Sequence, residues 1–160
     1  MERKTKMRLM HAKDISELSK IYVRVYTDFD VGECWDIESA KKLMKYWYQR
    51  QPDLCLVAEL DNKLVGCFMA GIKPWWDGNH LVDGELFVDP TYQKHGIGTQ
   101  LSVAIYKAAL KKYNVISFDA TTFKRTKFPL SWYKSQGYEV NKEWVLISGE
   151  VKKALKTLSR

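Results

Sequence analysis

Residues 85–101 constrain the fold of this chain more than any other segment. An apolar run over 86–88 ends at an Asp-Pro pair, and a loop with two glycines, Gly96 and Gly98, leads into a helical pattern. A strand–loop–helix junction directs the free N–H groups of the first helical turn, and the positive end of the helix dipole, at one point. The junction therefore predicts a phosphate site that needs no lysine.

Two common phosphate loops are excluded by the residues next to these glycines. A nucleotide P-loop needs a lysine directly after its second glycine, where this chain has Thr99. A dinucleotide-binding fingerprint needs a third glycine three residues after Gly98, where this chain has Leu101. A plain structural turn and some other phosphate loop are the remaining interpretations.

Hydrophobic periodicity predicts the element order β-α-α-β-β-β-α-β-α-β, followed by a short terminal helix. The predicted strands cover residues 7–10, 54–60, 64–72, 80–88 and 115–121, with one or two more in 138–148. The predicted helices start at 14 and at about 36, and cover 98–113 and 128–136. This order indicates an α/β (α+β) fold with a mostly antiparallel sheet.

The chain has the size and composition of one ordinary domain. Its 160 residues are 46% hydrophobic and contain no repeat or linker-like tract, so we expect a single domain over 1–160. Three cysteines without metal-ligand spacing predict neither a disulfide scaffold nor a metal site. Cys55 and Cys67 lie in strand-like segments and are expected to be buried, reduced thiols.

The net charge of +7 is concentrated at the two ends of the chain. Residues 1–8 and residues 150–160 each carry +3, which leaves +1 for residues 9–149. A nucleic-acid partner is therefore disfavoured, with residues 124–127 as the best basic patch for that alternative. No long apolar run follows the basic start, so the sequence predicts a cytoplasmic protein without a membrane segment.

Two motifs resemble the GNAT superfamily of N-acetyltransferases. Gln93-x-x-Gly96-x-Gly98 after a hydrophobic strand is similar to that family's acyl-CoA loop. Residues 132–138, Trp-Tyr-Lys-Ser-Gln-Gly-Tyr, resemble its aromatic-Tyr-x-x-x-Gly-aromatic helix end. The resemblance covers nearly the whole chain in element order, and its specific part is confined to 85–101 and 126–138. It implies a GNAT-like mixed sheet of six to seven strands flanked by about four helices.

The resemblance implies acetyl-CoA as cosubstrate and no metal. The strand over 86–88 would offer backbone groups to the thioester and pantetheine arm, and the loop over 94–99 would hold the pyrophosphate. Lys94 is expected to contact phosphate, whereas His95 is expected to be mainly a solvated loop side chain. The residues assigned to acetyl-CoA are Leu86, Phe87, Val88, Gln93, Lys94, His95, Gly96, Ile97, Gly98, Thr99 and Thr126.

The resemblance also implies a general acid, and the chemistry requires a base. A tyrosine matching Tyr133 commonly stands beside the CoA sulfur in this family. The amine must lose a proton to a base or through a water relay, and Glu85 and Asp83 are the candidate bases, with Asp119 as a weaker one. Asp83 and Glu85 alternate along one strand, so we expect both on one sheet face, where a merely solvated polar face is the alternative.

Two departures from the family support the choice of Glu85. The family often has a polar base at the position of Thr121 and an asparagine at the position of Thr126, and this chain has threonine at both. These departures leave open a non-catalytic, regulatory acyl-CoA-binding module of the same fold.

The resemblance implies that the acceptor enters over residues 26–35 and 75–80, and the residues predicted to bind it are Trp75, Trp76, Asp77 and Asp83. Adjacent tryptophans indicate a ligand pocket, a homodimer contact or core burial. Acidic residues in and around this region favour a cationic amine, such as a polyamine, an aminoglycoside-like sugar or a peptide amine. These acidic residues are Asp28, Asp30, Glu33, Asp77, Asp83 and Glu85. The acceptor's identity, the acyl-chain preference and the oligomeric state stay open.

Overall fold

A computed structural model describes residues 5–29 and 31–159, with the side chain of Asp83 left out of the description. Asp30, one of the acidic residues above, therefore lies outside the described residues. The described residues form two compact units, within Met1–Thr121 and Thr122–Arg160. The predicted mixed α/β class is confirmed.

The first unit contains one sheet whose strand order follows the sequence, β1-β2-β3-β4-β5. Neighbouring strands are antiparallel except β4 and β5, which are parallel. A parallel neighbour needs a crossover, and a helix between β4 and β5 supplies it. The strands are β1 (Lys6–Leu9), β2 (Cys55–Leu60), β3 (Lys63–Trp75), β4 (Gly78–Val88) and β5 (Ser117–Asp119).

Five α-helices occur in the described residues, and none of them is both long and apolar enough to cross a membrane. Asp36 caps the second helix, accepting a 2.7 Å hydrogen bond from the N–H of Ser39, and Pro52 follows its end. The helices are α1 (Ile15–Asp28), α2 (Ile37–Arg50), α3 (Ile97–Tyr113), α4 (Leu130–Ser135) and α5 (Val151–Leu158).

Helices cover both faces of the sheet. Leu18 of α1 and Met44 of α2 pack with Met69 of β3 on one face. Leu101 of α3 packs with Phe68 on the opposite face, so adjacent residues of β3 enter different cores. All five side chains are fully buried, and burial of each contributes about 1.5–3 kcal/mol. These two cores hold β4 between α1 and α3.

The turn expected between the strands over 54–60 and 64–72 forms, and the next connection is a second, longer hairpin. Asp61 and Asn62 have φ of 50° and 61°, which suits a two-residue turn between β2 and β3. Residues 75–79, predicted as a loop, instead continue the strands, since Trp75 pairs with Gly78 across a two-residue turn. The two tryptophans therefore lie at a hairpin tip.

The predicted strands in 138–148 are not formed in the described structure. Val145, Leu146 and Ile147 are more than 80% exposed and pair with no described strand. A lone apolar run with high strand propensity has no ladder partner to satisfy its backbone, so propensity alone does not produce a strand. The described sheet consequently has five strands rather than six or seven.

Cys55 and Cys67 are fully buried free thiols, as predicted. Burial raises the pKa of Cys55 to about 12 and raises that of Cys67 well above its ordinary value. Both side chains therefore act as small core residues rather than as nucleophiles.

Candidate active site

The C-terminal half of β4 separates from its parallel neighbour. β5 pairs with β4 only at His80, Leu81 and Val82, although β4 continues to Val88. No strand in the described parts of the chain pairs with residues 86–88 on that edge. An edge of this kind accepts an extended ligand through backbone hydrogen bonds. This is the location predicted for the pantetheine arm.

A β-bulge at Gly84 lies where the two strands separate. Met69 pairs with Glu85 and Ala70 with Asp83, which leaves Gly84 as the extra residue. A Cβ on Gly84 would lie 2.5 Å from the indole Cδ2 of Trp47, so only glycine fits here. Trp47 thus packs directly against the bulge.

The bulge corrects one step of the sequence reasoning. Strict alternation was the reason to expect Asp83 and Glu85 on one face, and the extra residue between them interrupts that alternation. The side chain of Asp83 lies outside the described structure. Its role in acceptor binding stays a prediction.

Glu85 follows the bulge and is held by two tyrosines of α1. The hydroxyl of Tyr22 donates to Glu85 Oε2 at 2.9 Å, and that of Tyr26 lies 3.5 Å from the same oxygen. Burial, and then the negative charge of Glu85, raise the pKa of both phenols. Both hydroxyls therefore stay protonated and serve as donors at neutral pH.

Asp89 organises the start of the loop that follows β4. It is buried, forms an ion pair with Arg24 of α1 and accepts a 3.0 Å hydrogen bond from the N–H of Thr91. Burial opposes its ionisation, but these hydrogen bonds prevail and lower the pKa of Asp89. Since Asp89 N–H also donates to Val65, the loop begins from a firmly anchored point.

The glycine loop places the N-terminus of α3 next to the end of β4. Lys94 and Gly96 have φ of 65° and 74°, the left-handed region, and Gln93 Nε2 donates to the carbonyl of Val88 at 3.0 Å. The first backbone bond of α3 comes from Gln100, which leaves the N–H groups of residues 97–99 without a helical acceptor. This turn has the geometry of an anion site.

The side chains of the loop are mostly exposed. Gln93, Lys94, His95 and Thr99 point to solvent, and Ile97 is buried in the core beneath α3. The ring of His95 lies 2.8 Å from the carbonyl of Gln93, within its own loop. Backbone groups, with Lys94 as the nearest cation, are thus the donors that this loop offers.

The second unit carries the predicted acid. Tyr133 lies on α4 between Trp132 and Tyr138, with ring centroids 5.0 and 6.1 Å away. Gly137 has φ of 91° and follows the helix in the left-handed conformation that is common after a helix end. The hydroxyl of Thr126, assigned to acetyl-CoA, is shielded from solvent and has no hydrogen-bond partner in the described structure.

The predicted acceptor residues Trp75, Trp76 and Asp77 lie at the other end of β4 from the loop. At about 3.3 Å per strand residue, Asp77 and Glu85 are roughly 25 Å apart along β4. Trp76 is 88% exposed, which excludes core burial for this side chain. The structure does not bring these three residues next to Glu85.

His80, the last residue of the predicted acceptor range 75–80, joins this hairpin tip to β5. His80 Nδ1 lies 2.6 Å from Asp119 and its Nε2 lies 2.9 Å from Asp77. Carboxylates only accept hydrogen bonds, so this arrangement needs a proton on both ring nitrogens. The hydrogen bond with Asp119, and then that with Asp77, raise the pKa of His80.

The structure brings Glu85 and residues 86–99 together along one strand, its loop and the next helix. Sequence reasoning gave no site role to Tyr22 or Arg24 and included Tyr26 only in the acceptor range 26–35. All three converge on this segment from α1. A signal was present, since two hydroxyls spaced four residues apart on the apolar face of α1 need a buried acceptor.

Comparison with solved structures shows the same fold. A possible acetyltransferase from Clostridium difficile 630 has a TM-score of 0.76 and 20% identity over 92% of this chain and 97% of that one. A predicted acetyltransferase from Clostridium acetobutylicum, solved with acetyl-CoA, has a TM-score of 0.71 and 19% identity, covering 91% of this chain and 96% of that one.

A third similar structure is an aminoglycoside N-acetyltransferase in complex with CoA, with a TM-score of 0.70, 15% identity and coverage of 94% and 97%. No match is found among curated proteins. The family model described as "Acetyltransferase (GNAT) family" matches residues 15–138, which include the splayed strand, the glycine loop and α4. This chain therefore belongs to the GNAT family of acetyltransferases.

Proposed function

We propose that this protein is an N-acetyltransferase that moves the acetyl group of acetyl-CoA to a primary amine, by direct attack in a ternary complex. The observation that carries the proposal is the continuous arrangement along β4: an unpaired edge at 86–88, then a glycine loop, then the open N-terminus of α3. In CoA, an extended pantetheine arm is followed by a pyrophosphate. The arm matches the unpaired strand edge, and the pyrophosphate matches the loop and the helix N-terminus.

The loop suits the pyrophosphate of acetyl-CoA. A Cβ on Gly96 would meet nothing within 4 Å, so the backbone presents an open surface to a ligand. The free N–H groups at the start of α3 are donors for phosphate oxygens, and Lys94 adds a positive charge. The unpartnered hydroxyl of Thr126 is a further donor that a bound CoA would satisfy.

The proposed reaction assigns one side chain to each proton. The amine nitrogen attacks the thioester carbonyl, forming a C–N bond as the C–S bond breaks. Glu85 takes the amine proton, directly or through a water, and the hydroxyl of Tyr133 donates a proton to the departing sulfur. Backbone N–H groups of β4 stabilise the charge that develops on the carbonyl oxygen.

The acceptor is proposed to be a cationic amine, of a small molecule or of a peptide. Glu85 is half-buried, and Glu33 lies in the α1–α2 connection, where its charge contributes to raising the pKa of Tyr26. Two carboxylates close to one aromatic group favour a positively charged acceptor. A fold shared with an aminoglycoside N-acetyltransferase is in keeping with this class.

We also propose that the two units act as one acyltransferase domain over 1–160. The family match, residues 15–138, runs across the division at Thr121 and Thr122.

The direct test measures release of CoA thiol from acetyl-CoA with a panel of amines: polyamines, aminoglycosides and lysine-containing peptides. Turnover with at least one class, and an acetylated product of the expected mass, supports the proposal. Tight acetyl-CoA binding without turnover for any amine would instead favour a non-catalytic, regulatory acyl-CoA-binding module.

Replacing Tyr133 by phenylalanine should lower kcat about 10²-fold, because the departing thiolate loses its proton donor. The dissociation constant for acetyl-CoA, measured by calorimetry, should stay within about twofold, because the aromatic ring is retained. An unchanged kcat would remove Tyr133 from the role of general acid.

A further inference from the structure

Tyr22 and Tyr26 are the two groups that hold the Glu85 carboxylate from α1. They lie one helical turn apart, their ring centroids are 4.6 Å apart, and both hydroxyls converge on Glu85 Oε2. The 2.9 Å bond from Tyr22 is a good hydrogen bond, whereas the 3.5 Å contact from Tyr26 is at the limit of one. Tyr22 is therefore the principal donor.

The ring of Tyr22 is immobilised by aromatic neighbours. It makes edge-to-face contacts with Trp35 and Phe87, at ring-centroid distances of 5.2 and 5.1 Å, and the side chain is only 1% exposed. A ring packed on several sides places its hydroxyl at one point. That hydroxyl in turn places the carboxylate of Glu85, which the bulge at Gly84 has directed toward α1.

A phenylalanine would fill the same space without burying a hydroxyl. Burying a hydroxyl is costly unless it is hydrogen-bonded, so the oxygen of Tyr22 is explained by its bond to Glu85. A base works only within hydrogen-bond reach of the proton that it removes, which makes its position as important as its identity.

We propose that Tyr22, assisted by Tyr26, is a positioning residue that sets the placement of the Glu85 carboxylate against the acceptor amine. This inference rests on the proposed function and deepens it. Neither tyrosine exchanges a proton with substrate. Their effect on the rate passes through Glu85.

The test compares Tyr22→Phe with wild type in the CoA-release assay. Loss of a hydrogen bond to a charged group should lower kcat/KM for the amine roughly tenfold. The dissociation constant for acetyl-CoA should not change, because Tyr22→Phe keeps the ring that packs against Phe87 and removes only the hydroxyl that donates to Glu85. Tyr26→Phe should have the same direction and a smaller effect.

Tyr113→Phe is the matched control. Tyr113 also donates to a carboxylate, at 2.6 Å to Asp53, but it lies at the C-terminal end of α3. It should lose similar stability and keep its activity. Equal losses of activity in Tyr22→Phe and Tyr113→Phe would show a general structural effect and overturn the proposal.

A double-mutant cycle with Glu85→Gln separates positioning from stability. If Tyr22 acts through Glu85, Tyr22→Phe should have no further effect on kcat/KM in the Glu85→Gln background. The same tenfold loss in both backgrounds would overturn the inference. If wild type turns over and Tyr22→Phe is fully active, this inference alone is overturned. If wild type acetylates no amine, the proposed function is overturned and this inference with it.

Discussion

Gly84 has no side chain, and this allows the bulge in β4 that sets the direction of the Glu85 side chain. The bulge adds one residue to β4 opposite Met69 and Ala70, and the indole of Trp47 occupies the space where a Cβ would lie. Bulges of this kind redirect side chains next to functional sites. Packing of α2 on the sheet and the placement of a candidate base are therefore coupled at one glycine.

Gly84→Ala is expected to lower the free energy of unfolding by about 1–3 kcal/mol, because the new methyl group overpacks the bulge. Its Cβ would lie 2.5 Å from Trp47 Cδ2 and 2.8 Å from the carbonyl oxygen of Met69. Urea unfolding measures the change. Gly149→Ala is the control, since a Cβ there meets nothing within 4 Å, and its effect should be within about 0.5 kcal/mol. Equal midpoints for the two variants would contradict a steric requirement for glycine at position 84.

At the scale of elements, the proposed phosphate site at the start of α3 has a backbone conformation that favours glycine. Gly96 has φ of 74°, and a side chain in the left-handed region costs about 1–2 kcal/mol. Gly96→Ala should therefore weaken acetyl-CoA binding up to roughly tenfold if the ligand has to restore this conformation.

Gly32→Ala is the control for Gly96→Ala. Gly32 has φ of 84° and equally open surroundings, but it lies between α1 and α2. Its substitution should impose similar strain and leave the acetyl-CoA dissociation constant unchanged. Calorimetric titration of both variants measures the difference, and equal affinities would show that the loop conformation does not serve the ligand.

The turn between β3 and β4 is tied to β5 through His80, and this contact leads to a prediction about pH. His80 faces Asp77 and Asp119 and pairs in register with Lys73 of β3. Because the folded pKa of His80 is raised above 6.5, its contribution to stability is full at pH below that value and is lost as the pH rises through the folded pKa. Urea titrations measure the difference in unfolding free energy between wild type and His80→Gln. This difference should be largest at about pH 5.5 and smallest at about pH 9, two pH values that bracket the range in which histidine titrates. A constant difference across this range would contradict a charged His80.

Much of the element order could be predicted from local signals, and the exceptions have physical causes. The turn at Asp61 and Asn62 and the start of α2 near Asp36 depend on neighbouring residues only, and both were predicted correctly. The bulge at Gly84 depends on Trp47 from a distant helix, so spacing along β4 could not show it. Residues 138–148 have strand composition without a strand partner, and composition cannot supply one.

The candidate site follows the same division. The glycine loop is local, and the motif alone was enough to predict a loop followed by a helix there. The role of Tyr22 could not be predicted, because its partner Glu85 is 63 residues away in the sequence. Long-range hydrogen bonds between a helix and a strand leave no periodic signal in either element.

For the whole molecule, the distribution of charge separates two kinds of ligand. The net charge of +7 lies mainly in residues 1–8 and 150–160, whereas the proposed phosphate site uses the backbone at the start of α3. Binding driven by total charge would favour polyanions and weaken steeply with salt. Binding through the backbone groups of the glycine loop should instead be specific for one ligand, and its affinity should depend little on salt concentration.

We therefore expect acetyl-CoA to raise the melting temperature of this protein at about 0.15 M salt. At roughly a hundredfold excess over its dissociation constant, acetyl-CoA should add about 2.7 kcal/mol to the free energy of unfolding. ATP, which carries phosphates but no pantetheine arm, is the matched control and should give a smaller rise. Duplex DNA should not bind under these conditions, because the body of the chain carries a net charge of only +1 over residues 9–149. DNA binding with a steep salt dependence, and no thermal stabilisation by acetyl-CoA, would instead make the basic termini the functional part of this molecule.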